Sequence, residues 1–432
     1  MDARFAHDLA EFLDGRTLKN AGLELRCTTR GDEGMSEESC ATRGVFATRA
    51  LPDGYELRIP TRFVLCPATA CKTELGVSLL TSGNFSTEDV LLAVLADLHP
   101  PRSASSPFHA YARTLPETSP DAASWPGPAR ALLQGTPLGA ALSGADDELR
   151  ALHARLAKCQ TAQWSGLTMI TLDDLRWSRG MLLSRRFSET DALPESQQML
   201  SKAGVPSAGL WGEVGVLVPV LDLLNHHPNA VSTTSVVQCP SSLTTDGMKK
   251  KNKGATEPFV VLRNTAPRKI GDEVFNNYGR SGNEALLALY GFAEPDNPQE
   301  EVAFMITTPG KPDVRCCIGR AGMTPELWNN LLGDNKNSVD MHDDDEDMDD
   351  DDADDDAEAR TIMNLEKVLK SLHDSLIASE PTEQQYAAVG DNRLAEAVQH
   401  YRRGQLEVLS LALSECADMA LLLQLDEEDI DM

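Results

Sequence analysis

The chain has 432 residues, 41% of them apolar, and its 39 basic against 67 acidic side chains give a net charge of −28. That length allows two or three domains with a large core, and the composition is that of a soluble globular protein. Such acidity does not suit direct contact with nucleic acid or an anionic membrane; it favours basic protein partners through long-range attraction, and it also serves solubility.

The N-terminus shows neither an apolar core nor a basic flank, so no signal peptide is expected, and Asp2, Asp8, Glu11 and Asp14 argue against a transit peptide. No run approaches about 18 apolar residues, so no membrane-spanning helix is expected. Nine cysteines without CxxC spacing point to a reducing compartment, cytoplasm or nucleus, and to no zinc cluster.

Residues 5–26 read as a short helix with a strand pattern after it, and the polar stretch from Thr28 to Cys40 as a loop. The segment from Thr42 to Pro60 predicts two short strands joined by a turn at Pro52-Asp-Gly54. Residues 85–99 predict a helix with Thr87 as its cap and Val90, Val94 and Leu98 on one face. Glu148 to Cys159 predicts another helix, and Thr171-Leu-Asp-Asp174 starts a third in the manner of a capping box. The block from about 100 to 205 is therefore mostly helical and interrupts strand-rich sequence. Val214 to Leu221 and Phe259 to Leu262 read as buried strands, with a solvated polar hairpin loop from Val231 to Glu257 that contains Lys249-Lys-Lys-Asn-Lys253. Past Phe292 two amphipathic helices are expected, at Arg360–Ser379 and at Leu394–Leu425, the second interrupted at Gly404. The Asp-rich run over 338–358, which holds thirteen acids between Asp343 and Glu358, is expected to be a disordered loop.

Two polar clusters stand at the ends of apolar strands, where side chains line pockets. One is Asp222-Leu-Leu-Asn225-His226; the other is Asn276-Asn-Tyr278-Gly279. Three readings stand for Asn225-His226. A metal site is disfavoured, because adjacent His226 and His227 point to opposite faces of an extended chain and no third ligand has the usual spacing. A satisfied structural pair and a ligand-binding pair both remain. Tyr278 is either a core tyrosine with a bonded hydroxyl or a phenol at the mouth of a cofactor site. Gly44 is either a bend between strands or a place where the backbone meets a ligand closely.

The order of these motifs decides more than any one of them. Arg43-Gly44-Val45-Phe-Ala-Thr-Arg49, Ser106-Pro-Phe-His-Ala-Tyr111, Ser184-Arg185-Arg-Phe187, Asp222-Leu-Leu-Asn225-His226, Glu273-Val-Phe-Asn-Asn-Tyr278-Gly279 and Tyr401-Arg-Arg-Gly404-Gln405 follow one another along nearly the whole chain. That succession resembles the SET-domain protein methyltransferases, in particular the class of the Rubisco large-subunit methyltransferase and the fungal ribosomal-protein lysine methyltransferases.

The resemblance implies an α+β fold: a β-rich SET domain with a knotted core, formed by 1–100 and 206–300, a helical insert over 101–205, and an all-helical substrate-binding domain over 301–432. It implies S-adenosylmethionine as cofactor, held by Asn225 and His226, with Asp222 and Arg185 beside them, backbone contacts from Gly44 and Val45, and Phe292 packed near the adenine. Tyr278 matches the catalytic tyrosine, next to the cofactor, and Tyr290 matches the tyrosine of the lysine channel. No metal is implied. The expected partner is a basic protein substrate, a ribosomal protein or one like a histone, met by a monomer in the cytoplasm or nucleus. The acidic run is expected to attract that substrate.

These residue types suit the chemistry. A lysine with an ordinary pKa near 10.4 is neutral about once in two thousand at pH 7, and reaching that form costs roughly 4–5 kcal/mol. An apolar channel beside a cation lowers the pKa by desolvation and by like charge. A phenol orients the neutral amine without re-forming the ammonium by pairing with it, at reacting distances of about 3–3.5 Å. Two other readings stand: histidine methylation, and a non-catalytic SET-fold escort for basic proteins.

Overall fold

The computed structural model describes residues 3–13, 18–19, 21–28, 42–99, 106–142, 145–163, 170–187, 215–230, 232–240, 256–279, 281–306, 314–322, 324, 327 and 350–430. The chain divides into two compact units. One is built from residues 1–120 and 146–279, the other from 121–145 and 280–432.

The first unit opens with α1 (Ala3–Leu13) and β1 (Leu23–Thr28), so the helix expected over 5–26 ends early and its last residues are extended. β1 pairs antiparallel with β2 (Thr42–Ala47), Leu25 opposite Val45. The expected loop between them lies outside the described residues, except Thr28, the last residue of β1. β3 (Tyr55–Pro60) does not close a hairpin onto β2. It pairs instead with the distant apolar segment Thr256–Asn264, Ile59 opposite Val260, and the amide of Gly54 donates to the carbonyl of Asn264 at 2.9 Å. A better apolar partner far along the chain wins over the local turn.

The helices of this unit start where their side chains can satisfy the first amides. In α2 (Thr87–Ala96) the cap is Ser86, one residue before the expected Thr87; its hydroxyl accepts from the amide of Asp89, whose carboxylate accepts from the amide of Ser86. Val90, Leu91, Val94 and Leu95 are buried by this helix. α3 spans Ala145–Gln163, and α4 (Leu172–Arg185) begins with the Thr171–Asp174 capping box that its sequence predicts. α4 buries Trp177 and Met181 and delivers Arg185 from its last turn.

Among the described residues of the apolar run from Val214 to Leu221, which begin at Gly215, Val216–Leu217 alone (β5) is strand; it pairs with β4 (Arg186–Phe187). The chain then turns through Val220 at φ 76 and enters a short 3-10 helix at Leu221–Leu223. A β-branched residue with positive φ is a strained backbone position. Both faces of this run are buried, so its apolarity could not separate strand from turn. β6 (Ser232–Pro240) and β7 (Thr256–Asn264) occupy both ends of the expected loop, giving a sheet in the order β3-β7-β6. Residues 241–255, including Lys249–Lys253, lie outside the described residues.

The second unit is not all-helical, contrary to the expectation for 301–432. It contains an antiparallel hairpin, β8 (Glu301–Ile306) with β9 (Val314–Gly319). It also contains α5 (Asn283–Tyr290), α6 (Asp350–Ala378) and α7 (Asn392–Ile430). Val302, Phe304, Cys316 and Ile318 of the hairpin share one core with Ile362, Leu365 and Leu369 of α6 and Leu409 and Ala412 of α7. The part of the acidic run from Asp350 onward is helical rather than loop. α7 runs through Gly404 without interruption. A Cβ there would lie 2.7 Å from Oε2 of Glu300, so the glycine makes room for a buried acid instead of ending a helix.

Candidate active site

Three segments of the first unit converge. β2 contributes Gly44 and Val45, the chain after the 3-10 helix contributes Asn225 and His226, and 272–279 contributes Glu273 and Tyr278. They are laced by backbone bonds: the amide of Val274 donates to the carbonyl of Val45 at 2.8 Å, and the amide of Ala47 to that of Asp272 at 2.9 Å. On the other side the amide of Asn276 donates to Asn225 at 2.9 Å and that of His227 to Asn276 at 3.0 Å, as a parallel bridge. Residues 272–279 are thus no regular strand, but a connector that takes one partner and then another.

The backbone amide of Tyr278 donates to Nδ1 of His226 at 3.0 Å, and the two rings pack with centroids 5.2 Å apart. Nδ1 therefore carries no proton, and the neutral imidazole keeps its proton on Nε2. The Tyr278 hydroxyl donates to the carbonyl of Leu224 at 2.8 Å. Its proton is committed to that carbonyl, so any further bond at this oxygen is one it accepts. Asn225 and Tyr278, 53 residues apart in sequence, are brought to the same backbone junction.

Asp222, three residues before Asn225, belongs to a buried polar cluster. The hydroxyl of Tyr111 donates to Oδ2 of Asp222 at 2.7 Å, and Nη1 of Arg185 donates to the Asp222 main-chain carbonyl at 2.7 Å and stands 3.9 Å from its carboxylate. The Asp222 side chain is 0% exposed. Burial pushes its carboxyl up to about 6, against the opposing pull of the Arg185 guanidinium and the Tyr111 hydroxyl. Tyr111 is raised well above the usual phenol range, first by burial and then by the Asp222 carboxylate. Oδ1 of Asp222 and Nε of Arg185 are buried with no hydrogen-bond partner. An acceptor and a cationic donor left over in one place are the functional groups that a zwitterionic amino-acid moiety requires.

A pH dependence follows from the position of Asp222. Its folded value of about 6 lies above the ordinary 3.8. Between those values the folded chain holds a proton that the unfolded chain has lost, so stability falls as pH rises through this window. Asp222→Asn is expected to gain on the wild type by roughly 3 kcal/mol between pH 4 and pH 7. Urea denaturation of both proteins across that range measures it. The difference between them isolates Asp222, because Glu300, pushed up to about 7 by burial, is present in both. Parallel curves would show that Asp222 does not carry this titration.

Tyr290 and Phe292 belong to the second unit, Tyr290 at the end of α5, where Gly291 at φ 73 closes the helix; their rings lie 6.1 Å apart. Among the described residues no group of three or more His, Cys, Asp or Glu is arranged to hold a metal ion, and no helix is long and apolar enough to cross a membrane.

Sequence reading passed over two members of this junction. Glu273 accepts from Nδ2 of Asn225 at 2.6 Å, and a Cβ on Gly44 would collide with its Oε1. Gly44 therefore makes room for a carboxylate, a reason that neither sequence reading of the glycine included. Tyr111 stood in a recognised motif without a role, because nothing local links it to Asp222.

No family model matches the chain. It is 25% identical over 262 residues, 59% of its length, to the chloroplastic [fructose-bisphosphate aldolase]-lysine N-methyltransferase of Arabidopsis thaliana, of which the match covers 46%. It is 26% identical over 166 residues, 38% of its length, to the ribosomal lysine N-methyltransferase set10 of Schizosaccharomyces pombe, of which 25% is covered. The chain thus spans less than half the length of these curated relatives. Among solved structures, the SET domain of LSMT bound to lysine and AdoHcy superposes with a TM-score of 0.66 at 17% identity, over 98% of this chain and 92% of that one. Rubisco LSMT bound to AdoMet gives 0.63 at 17% identity, over 97% and 93%. The chain has this α+β fold, the SET fold of LSMT with C-terminal helices, and is similar in sequence to plant and fungal protein-lysine N-methyltransferases.

Proposed function

We propose that this chain is an S-adenosylmethionine-dependent protein-lysine N-methyltransferase whose substrate is a basic protein, a ribosomal protein in the first instance. The observation that carries the reading is the junction of Asn225-His226 with Tyr278, held by the amide-to-Nδ1 bond at 3.0 Å and the hydroxyl-to-Leu224 bond at 2.8 Å. Relatives with related sequence methylate lysines of an aldolase and of ribosomal proteins, as their names state. The net charge of −28 favours a basic partner.

In this reading Gly44, Val45, Asn225 and His226 hold the cofactor, with Arg185 and Asp222 beside them. The leftover acceptor and cation of the buried cluster fit the cofactor's amino-acid end. When bound, S-adenosylmethionine supplies an electrophilic methyl group. Tyr278 accepts from the amine N–H and so aims the nitrogen lone pair; it acts by orientation and electrostatics, not as a general base. Tyr290 lines the lysine channel. The SET domain comprises 1–100 and 206–300, with 101–205 as its insert and 301–432 as the substrate-binding domain. Its core is knotted where 225–227 and 272–279 meet, and the protein works as a monomer in the cytoplasm or nucleus.

The test is calorimetric binding of S-adenosylmethionine, followed by transfer of its labelled methyl group to a purified ribosomal-protein fraction. Label on lysine is the expected result. A chain that does not bind the cofactor is no methyltransferase.

A further inference from the structure

We propose that Glu273 is a positioning residue for cofactor binding: its carboxylate turns the Asn225 amide so that the oxygen, not the nitrogen, faces the α-ammonium of S-adenosylmethionine. This rests on the reading of the site as a cofactor site. The two flips of an asparagine amide are nearly identical in shape, so packing alone does not choose between them. A carboxylate chooses, because it only accepts. Nδ2 of Asn225 donates to Oε1 of Glu273 at 2.6 Å, which directs Oδ1 away from Glu273. An ammonium offers only donors, so an amide presented oxygen-first binds it and one presented nitrogen-first repels it.

Glu273 is itself held for this task. Its backbone bridges Phe46 of β2, and the residues on either side bond to Val45 and Ala47. Gly44, having no Cβ, leaves the space that Oε1 enters. The backbone of Asn225 is fixed too, through the amide of Asn276 at 2.9 Å. With both backbones fixed, the amide of Asn225 takes the flip that the Glu273 carboxylate selects.

Two ligands separate this role from a general structural one. S-adenosylhomocysteine carries the α-ammonium; 5′-methylthioadenosine lacks it. Glu273→Met keeps an unbranched chain beside Gly44 and removes the acceptor. Calorimetry is expected to show S-adenosylhomocysteine bound about tenfold more weakly by this variant, and methylthioadenosine unchanged. Glu273→Gln, which keeps an acceptor, is expected to bind both within about twofold of wild type. If the Met protein does not fold, Glu273→Ala, which empties the space at Gly44 instead of filling it, carries the same expectation. Equal weakening of both ligands, or weakening of neither, overturns the proposal. Failure of the wild type to bind S-adenosylhomocysteine is a different result: it removes the cofactor site itself, and shows in the absence of any substitution.

Discussion

Tyr278→Phe is expected to lower kcat for methyl transfer by about a hundredfold or more while cofactor affinity stays within about twofold. The ring of Tyr278 stays against His226, and its backbone amide still donates to Nδ1, so the scaffold around the cofactor is kept. What goes is the oxygen. In the wild type that oxygen is fixed by donation to the Leu224 carbonyl at 2.8 Å, so its lone pairs point one way. An amine aimed by them meets the methyl group in line, and one left to rotate loses most of its productive encounters. The variant also leaves the buried Leu224 carbonyl short of a donor, a cost of about 1–3 kcal/mol visible as a lower Tm. Single-turnover kinetics with saturating cofactor separate the two effects. Turnover within about threefold of wild type would remove the phenol from the mechanism.

Arg402→Ala is expected to destabilise the second unit by about 3–5 kcal/mol, a large part of what holds a domain together. Arg402 is 2% exposed on α7. Its guanidinium donates to the main-chain carbonyls of Leu132, Gln134 and Leu376, to the Ser379 hydroxyl and to the Glu380 carboxylate. It therefore ties the 132–134 segment to the end of α6, two pieces of chain that share no other polar fastener of this size among the described residues. Alanine removes the donors and strands the carbonyls. Arg402→Lys is expected to recover only part, since an ammonium cannot fan out over partners in one plane. Chemical denaturation followed by helical signal measures both variants. An Arg402→Ala protein within about 1 kcal/mol of wild type would mean that water replaces the guanidinium at no cost.

Local chemistry was readable from the chain. The Thr171–Asp174 capping box closes over three residues, and its start is where the sequence places it. The amphipathic repeats of α6 and α7 were equally legible, since each apolar stripe is built from neighbours three and four apart. Where the reading slipped, a distant partner had intervened. Gly404 looked like a break because nothing near it in sequence announces Glu300. The turn at Pro52–Gly54 looked like a hairpin because the competing strand lies two hundred residues on. β8 is hidden in the sequence because its less buried face carries apolar Ala303 and Met305, so burial alternates along the strand while residue type does not.

The order of motifs, the residue types and the chemistry they serve are all written in the sequence, because a family pattern and a capping residue are one-dimensional facts. The junction itself is not. That the Tyr278 amide meets His226, that Asn225 gives an amide hydrogen to Glu273, and that Gly44 is vacant for that carboxylate are facts of convergence between segments far apart along the chain. Hydrogen bonds act over about 3 Å and carry no record of sequence separation, so only the folded chain could say which partners meet.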